Sequence, residues 1–388
     1  MKVNQIHTLM NNVTKELLGK TDIVKEDLSN IVDVGVELFD NASVDNYVKS
    51  LVNHIGKVIF VNRAYTGNVP SMLMDSWEFG SVLEKITADL PEATENESWK
   101  LEDKQSYDVN VFYKPSVSAK FFNKKVTFEI PMSFTELQVK ESFSNVNQLN
   151  GFLSMLYNAV DNAMTVKIDS LIMRTINNMI GETINAEFTD KVATNDYTTS
   201  TGNKAVNLLK LYNDEHTEKL TVENCITNPD FIRFASYIMT LYIDRLSKMS
   251  TLFNIGKKER FTSADRLHIV LLSDFKASAT TYLSADTFHD NYVALPQSET
   301  VPYWQGSGQK YLFTDTSKIQ VKIASGRDIT LGGILGIMFD TEAMGVCNTD
   351  RRVTTNYNAK AEFYNNYYKF DASYFNDFNE NFVVFFVA

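Results

Sequence analysis

The stretch NVNQLNGFLSMLYNAVDNAMTVKIDSLIMRTINNMIG, residues 145–181, predicts one long helix and decides the fold. Apolar residues recur along it every three or four positions, which is the spacing of one helix face. Asn145 is expected to cap its start, with Gln148 completing a capping box, and Gly181 stands where the helix is expected to end. At 1.5 Å per residue the helix is on the order of 50 Å long, well above the average. We call it the spine helix and expect it to be the rigid core of its domain.

Two strand-like runs precede the spine helix and are separated by a long charged stretch. The first run extends from Trp77 to Ile86 and the second from Val117 to Ile130. Between them lies LPEATENESWKLEDKQSYD, residues 90–108, which has no steady periodicity. A compact domain rarely carries so long an open loop unless the loop functions outside that domain. We therefore predict an extended β-arm, made of two strands joined by a polar excursion.

The tip of the predicted β-arm contains a tryptophan in charged surroundings. In an isolated subunit Trp99 has little apolar surface to pack against, because its neighbours along the chain are polar. Tryptophan is enriched among the residues that carry interface energy. We predict that Glu95, Trp99 and Lys100 belong to a subunit interface. The alternative is a tryptophan folded back on its own arm.

The remaining segments show shorter patterns on both sides of these elements. Near the N-terminus, short helical pieces flank a polar run that contains Asp33, Glu37 and Asp40, and we predict that this run is a surface connector or arm. Beyond the spine helix, helical and strand patterns alternate, which favours an α+β fold. The predicted elements are helices at 205–213 and 231–248, the second begun by the start signal Thr227-Asn228-Pro229, and strands at 267–272, 334–339 and 382–388.

Composition and charge exclude several classes of protein. The 388 residues are 44% hydrophobic and 22% charged, which is too apolar for a disordered chain, and 48 acidic against 37 basic residues give a net charge of −11. Such an acidic surface disfavours a sequence-reading DNA-binding protein. No uninterrupted apolar run is long enough to span a membrane, and the polar N-terminus is unlike a signal peptide. We expect a protein made and kept in a cytoplasm, without membrane contact.

Residues that could carry chemistry are few and do not form a recognised motif. Cys225 and Cys347 are too few for a disulfide framework. The histidines form no metal-ligand pair, and His289-Asp290 after Asp286 is the nearest approach to a cluster. Glycine groups at 306–308 and 332–336 lack the context of a phosphate loop and are predicted turns. We expect no catalytic residue, cofactor or metal site.

An arm that leaves its own domain needs a partner, and a chain without an active site suits an assembly subunit. The order of elements resembles the major capsid protein of tailed bacteriophages, the Hong Kong 97 fold. Five stretches of the sequence resemble stretches of the small-podophage, phi-twenty-nine-like shell proteins. They are YVKSLVNHIGKVIF (47–60), the spine helix, DRLHIVLLSDF (265–275), ILGIMFDTEAMGV (334–346) and DRRVTTNYNAKAEFYNNYYKF (350–370).

This resemblance implies a domain plan and a function. The implied segments are an N-terminal arm and helix (1–64), an E-loop β-arm (65–130), a P-domain with the spine helix (131–200), an A-domain (201–339), and a return to the P-domain with a C-terminal strand (340–388). The implied function is self-assembly into the icosahedral or prolate shell around the double-stranded DNA of a tailed phage. The relatives' appended immunoglobulin-like module is expected to be absent.

The resemblance also implies partners and leaves alternatives. The implied partners are the protein itself, as pentamers and hexamers, then scaffolding and portal proteins, and packaged DNA through non-specific proximity. An encapsulin-type shell around a cargo enzyme has the same fold and is one alternative. A carbohydrate-binding protein or an enzyme that uses the acidic and aromatic tail is another.

Overall fold

The spine helix is a single continuous helix, as the sequence predicts. It runs over Val146–Glu187, 42 residues, which is about 63 Å at 1.5 Å per residue. Asn145, the predicted cap, lies outside the described residues. Most of the predicted apolar stripe is buried from Leu156 onward, with Ala163 half-buried, and the burial continues beyond its predicted end at Met179. The buried residues are Leu156, Val160, Met164, Ile168, Leu171, Ile172, Ile176 and Met179, followed by Ile180 and Ile184.

Gly181 does not end the spine helix, so that prediction is wrong. The helix continues to Glu187, and Ile184 in the added turns is fully buried. A Cβ atom at Gly181 would lie 3.0 Å from Cγ2 of Ile323, a packed side chain of the same subunit. Glycine is therefore present because another segment approaches the helix closely, and not because the chain turns there.

The computed structural model describes residues 3–19, 24–25, 29–41, 50, 69–74, 83–91, 93, 103, 110, 112–135, 137, 146–285, 298–306 and 312–388. Its contacts group the chain into two units. Unit 1 comprises Met1–Glu78, Lys125–Ile172 and Val346–Ser373, and unit 2 comprises Phe79–Lys124, Met173–Gly345 and Tyr374–Ala388. The five-segment plan from the sequence stays a prediction.

The elements are numbered in chain order. The helices are α1 (Val3–Leu18), α2 (Ile31–Asn41), α3 (the spine helix), α4 (Leu208–Glu215), α5 (Pro229–Leu246), α6 (Ser273–Ala285) and α7 (Phe313–Thr316). The strands are β1 (Leu73–Met74), β2 (Leu83–Ala88), β3 (Val117–Phe122), β4 (Lys125–Thr135), β5 (Ala205–Asn207), β6 (Leu267–Leu272), β7 (Glu299–Val301), β8 (Ile319–Lys322), β9 (Asp328–Leu331), β10 (Ile334–Asp340), β11 (Met344–Asn358), β12 (Phe363–Asn376) and β13 (Phe382–Phe386).

Unit 1 contains a four-stranded sheet in the order β1-β11-β12-β4. β4 runs antiparallel to β12, and Phe128 pairs across with Phe370 at a ring distance of 5.2 Å. Pro131 is tolerated in β4 because this strand lies at the edge of the described sheet, where a missing N–H costs little. The run 117–130 was predicted as one strand of the β-arm, and that prediction is wrong. It is divided between β3 and β4, which belong to different sheets because β4 leaves the arm to pair with β12.

The polar run predicted to be a surface connector near the N-terminus is helix α2. Ile31, Val34 and Leu38 recur at helical spacing within it, and Val34 is buried. The turn before α2 is held by Asn11 of α1. Its Oδ1 accepts from the N–H of Val24 at 3.0 Å and its Nδ2 donates to the carbonyl of Val24 at 3.4 Å. The segment is therefore helical although many of its residues are polar, because its apolar residues have helical spacing.

Unit 2 is built on a five-stranded mixed sheet in the order β5-β13-β10-β6-β7. All seven residues of β10 are buried, because it is the central strand between β13 and β6. Helices α4, α5 and α6 pack on this sheet in one apolar core. The predicted strands at 267–272, 334–339 and 382–388 are confirmed.

The helices of unit 2 match the sequence in one case and differ in another. Helix α5 begins as predicted, since the Asn228 side chain accepts from the N–H groups of Asp230 and Phe231. The helix predicted over 205–213 begins only at Leu208, because Ala205–Asn207 pair with β13 as strand β5. Asn207 then caps α4 by accepting from the N–H of Lys210.

Helices and strands both contribute heavily, in agreement with the predicted α+β class. Across the part of the chain that the structure describes, no helix combines the length and the apolar character that crossing a membrane requires.

A proline at position 160 tests the spine helix. Val160 is buried in the helix interior, so Val160→Pro removes a backbone hydrogen bond and clashes with the preceding turn. We expect a loss of about 3 kcal/mol or more in the free energy of unfolding. Urea denaturation of the purified subunit measures it, with Val160→Ala as the control for lost side-chain volume. A soluble Val160→Pro subunit with unchanged stability would contradict the structural role of the helix.

Candidate functional site at the β-arm

The β-arm begins as a two-stranded hairpin. β2 and β3 run antiparallel, with Leu83 opposite Phe122 at the root and Ala88 opposite Val117 at the far end. Residues opposite each other share a face, so the hairpin has two distinct faces. The prediction of two strands joined by an excursion is confirmed for these strands. Glu95, Trp99 and Lys100, the predicted tip residues, lie outside the described residues.

One face of the hairpin is apolar and exposed to solvent. We call it the outer face, and its members are Glu84, Ile86, Ala88, Val117, Ala119 and Phe121. Ile86, Val117 and Phe121 are 65%, 58% and 64% exposed. Exposed apolar groups continue beyond the strands at Leu90, Phe112 and Tyr113. Exposed apolar groups on one face of an arm are typical of an interaction surface.

The opposite, inner face is polar and contacts the body of unit 2. Its members are Leu83, Lys85, Thr87, Ser118, Lys120 and Phe122. Thr87 and Ser118 share a hydrogen bond of 3.0 Å across the hairpin. At the root, the ring of Phe122 lies 5.2 Å from that of Phe375. The usual arrangement, with apolar residues facing the subunit and polar ones facing water, is therefore reversed in the arm.

Lys85 is the centre of the contact between arm and body. Its Nζ lies 2.7 Å from Oε1 of Glu380, 3.0 Å from Oδ2 of Asp377 and 3.1 Å from Oε2 of Glu342. An ammonium group has three N–H donors, so three carboxylates can satisfy it fully. The side chain of Lys85 is only 14% exposed, and this cation is thus removed from most of its water.

Further charges extend the cluster and balance it. Lys120 contacts Asp377 at 2.9 Å, and Arg260 approaches Glu380 at 3.5 Å. On the other side Arg266 bridges Glu342 at 2.6 Å and the buried Asp340 at 3.1 Å. Four cations thus face four carboxylates. We call the four carboxylates the acidic cradle: Asp340, Glu342, Asp377 and Glu380.

The cradle is held by the ends of core strands. Asp340 is the last residue of β10 and Glu342 follows it, while Asp377 and Glu380 precede β13. The two turns bond to each other through the backbone, since the N–H of Asp340 donates to the carbonyl of Asn381 at 3.0 Å and the N–H of Asp377 donates to that of Ala343 at 2.7 Å. Because β10 and β13 are buried neighbours, the carboxylates have fixed positions before the arm is considered.

The pKa values of these groups follow from burial and charge. Burial alone raises the pKa of Asp377, but hydrogen bonds from Lys120 and from the backbone of Asn379, with the charge of Lys85, outweigh it and lower the pKa. The pKa of Glu342 is also lowered, because Lys85 and Arg266 outweigh its burial. Burial lowers the pKa of Lys85, yet Glu380 and Asp377 prevail and raise it. Asp377, Glu342 and Lys85 are therefore charged at neutral pH.

The residues considered for chemistry do not form a second site. Burial raises the pKa of the Cys225 thiol to about 12, so it is a poor nucleophile. His289, Asp286 and Asp290 lie outside the described residues. Gly333 has a φ of +70° and occupies a turn before β10. Within the described ranges no three His, Cys, Asp or Glu side chains are close enough to hold a metal ion.

The sequence pattern predicts the arm, but it does not identify the charged residues that hold the arm on the body. The alternation in LEKITA (83–88) and VSAKFF (117–122) already separates lysines from apolar side chains. That signal could have revealed two faces. Which face turns inward depends on the carboxylates, of which Asp377 and Glu380 lie more than 250 residues from β3, as the separation of 257 between Lys120 and Asp377 shows.

The arm presents an exposed apolar face and is held on the body by charges, and these features are typical of a protein that contacts other subunits. Comparison with known proteins gives the particular family. The sequence matches the family described as Phi29-like phage major capsid protein over residues 10–386, and the chain therefore belongs to that family. Its role is structural and not enzymatic, as a self-assembling subunit of the virion capsid. The predicted family is confirmed, and no finding favours the encapsulin, carbohydrate-binding or enzyme alternatives.

Comparison with solved structures adds information on the fold. The capsid structure of Staphylococcus phage Andhra is 10% identical, with a TM-score of 0.51 over 84% of this chain and 86% of that one. A structure of the head fiber and inner core protein gp22 of bacteriophage P68 gives 10% identity and a TM-score of 0.49, over 84% of this chain and 86% of that one. The Andhra similarity supports the Hong Kong 97 fold. Comparison with curated proteins gives no match.

Acid tests the charge cluster. A carboxyl group whose pKa is lowered by folding stabilises the folded state above its unfolded pKa, and this contribution is lost as pH falls through the folded value. Lys85→Met leaves three cations against the four carboxylates of the cradle, and we expect a loss on the order of 3 kcal/mol at pH 7. Below about pH 4 the carboxylates become protonated, so the wild type loses its ion pairs and the variant loses the repulsion between its carboxylates. The difference in free energy of unfolding between the two proteins therefore shrinks. Urea denaturation of both proteins between pH 7 and pH 3 measures it. A difference that stays constant over this range would contradict the ion-pair account.

Proposed function

We propose that the β-arm joins subunits of the capsid by docking its outer face on a second copy of this chain. The observation that carries the proposal is the exposure of Ile86, Val117 and Phe121 on the face turned away from the subunit. A two-stranded hairpin is marginally stable by itself, so a partner that covers this face also stabilises the arm. The predicted interface residues Glu95, Trp99 and Lys100 lie between β2 and β3 in the sequence and form part of this proposal.

The contact is heterologous, because an arm on one subunit meets a different surface on the next. A heterologous contact repeated by rotation closes into a ring, which suits pentamers and hexamers. Each contact can be modest in area, since a closed shell engages many of them at once. The stability of the shell then depends more on the number and arrangement of its subunit contacts than on the strength of any one contact.

Further partners follow from the role of a capsid subunit. We propose scaffolding and portal proteins as partners during assembly in the host bacterial cytoplasm. The packaged DNA is a neighbour through non-specific proximity. The net charge of −11 supports this, because an acidic lining does not adhere to phosphate groups. Electron microscopy of the purified protein tests the whole proposal: closed shells are expected, and a protein that stays monomeric under all assembly conditions would contradict it.

Neighbouring phenylalanines on opposite faces of β3 test the docking face. Phe121 is exposed, so Phe121→Ser should change subunit stability by no more than about 0.5 kcal/mol while assembly is lost. The matched control Phe122→Ser removes the ring that packs on Phe375, and it should lower the stability of the subunit itself. Thermal unfolding and the yield of closed shells are measured for both. Normal shell yield for Phe121→Ser would show that the outer face is not an interface.

The tip residue Trp99 gives an independent test. Trp99→Ala should leave thermal unfolding of the unassembled subunit nearly unchanged and weaken the shell by about 2 kcal/mol per contact. The loss repeats with every subunit and is measured as disruption of shells at lower denaturant concentration. Equal destabilisation of free subunit and shell would mean that Trp99 packs within its own subunit.

A further inference from the structure

The arm and the body of unit 2 meet mainly through charges, and one residue dominates the contact. We infer that Lys85 is the positioning residue of the β-arm: its fit into the acidic cradle sets the position of the hairpin and thereby the direction of the outer face. This inference rests on the proposed docking function, which makes that direction matter. It assigns a role in assembly to an ion cluster formed within one subunit.

Lys85 is better placed than the other arm contacts to hold the hairpin. The second arm cation, Lys120, reaches one carboxylate and is 38% exposed, against three carboxylates and 14% for Lys85. Nearer the tip, Asp89 pairs with Lys258 at 2.8 Å, but both side chains are about one-third exposed. Solvent-exposed pairs contribute little, because water competes for both charges.

The inner face has little apolar packing that could replace Lys85. Phe122 packs on Phe375 at the root, where the hairpin leaves the body. Going toward the tip, the next residues on this face are Lys85 opposite Lys120, then Thr87 opposite Ser118. The root contact fixes where the hairpin starts, and the lysine contact fixes the direction in which it extends.

The cradle has a defined shape that a cation must match. Its carboxylates are fixed by β10, β13 and the backbone bonds between their turns. Without Lys85, Asp377 and Glu380 lose a shared cation while their side chains stay only 1% and 7% exposed, and a buried group without its partner is costly. The hairpin therefore has one favoured position, in which the ammonium meets three carboxylates.

Hydrogen exchange of the unassembled subunit at pH 7 tests this inference. Lys85→Met should accelerate exchange of β2 and β3 amides by about tenfold or more, while β6 and β10 amides stay within about twofold of the wild type. Lys114→Met removes an exposed lysine of the same arm and is the matched control, with no acceleration expected. Charge reversal supplies a second test. Lys85→Glu should loosen the arm more than Lys85→Met does, because it places a further carboxylate beside Glu380, Asp377 and Glu342.

Three results would overturn the inference. They are unchanged exchange of the arm in Lys85→Met, equal acceleration in β6 and β10, and an arm in Lys85→Glu that is no looser than in Lys85→Met. The result for docking is separate, because Phe121→Ser leaves the cradle intact. That variant should keep normal arm protection and lose shell assembly. Normal assembly of Phe121→Ser would sink the docking proposal alone, whereas the exchange data on Lys85 decide the positioning role.

Discussion

The ion cluster between the β-arm and the body of unit 2 determines which face of the arm is exposed. Lys85 is largely removed from water and must meet Glu380, Asp377 and Glu342 to offset the loss of hydration. Because residues alternate along a strand, placing Lys85 inward obliges Ile86 to point outward. The same alternation exposes Phe121 beside the inward Lys120. The burial of charges on one face of the arm and the exposure of apolar side chains on the other therefore result from the same orientation of the two strands.

This arrangement suits a subunit that must be soluble before assembly and adhesive during it. A polar contact between arm and body is satisfied in the free subunit, so the arm needs no partner to avoid unpaired charge. The apolar outer face, in contrast, gains free energy only when another surface covers it. The body that carries the cradle is built for rigidity, since β10 is buried along its full length and the spine helix is buried on several sides from Leu171 to Ile184.

Several features of the fold were predictable from the sequence, and they are local ones. The spine helix followed from its three-four spacing, helix α5 from the Asn228-Pro229 start, and β6, β10 and β13 from their apolar runs. The errors have a common origin. The local pattern at Gly181 predicts a helix end, but the glycine is required by the close approach of Ile323. The pattern at 205–207 predicts a helix, but these residues pair with β13 as a strand. In each case a residue distant in sequence overrode the local pattern.

The sequence by itself determined that a two-stranded arm precedes a long helix, that the chain lacks a recognisable catalytic motif, and that it resembles a capsid subunit. Periodicity and composition carry that information because they depend on neighbours along the chain. Only the tertiary structure decided which face of the arm is turned to the subunit. That choice depends on carboxylates brought together from two turns, after β10 and before β13, and on their pairing with Lys85 and Lys120. Electrostatic contact acts through space, and sequence spacing does not record it.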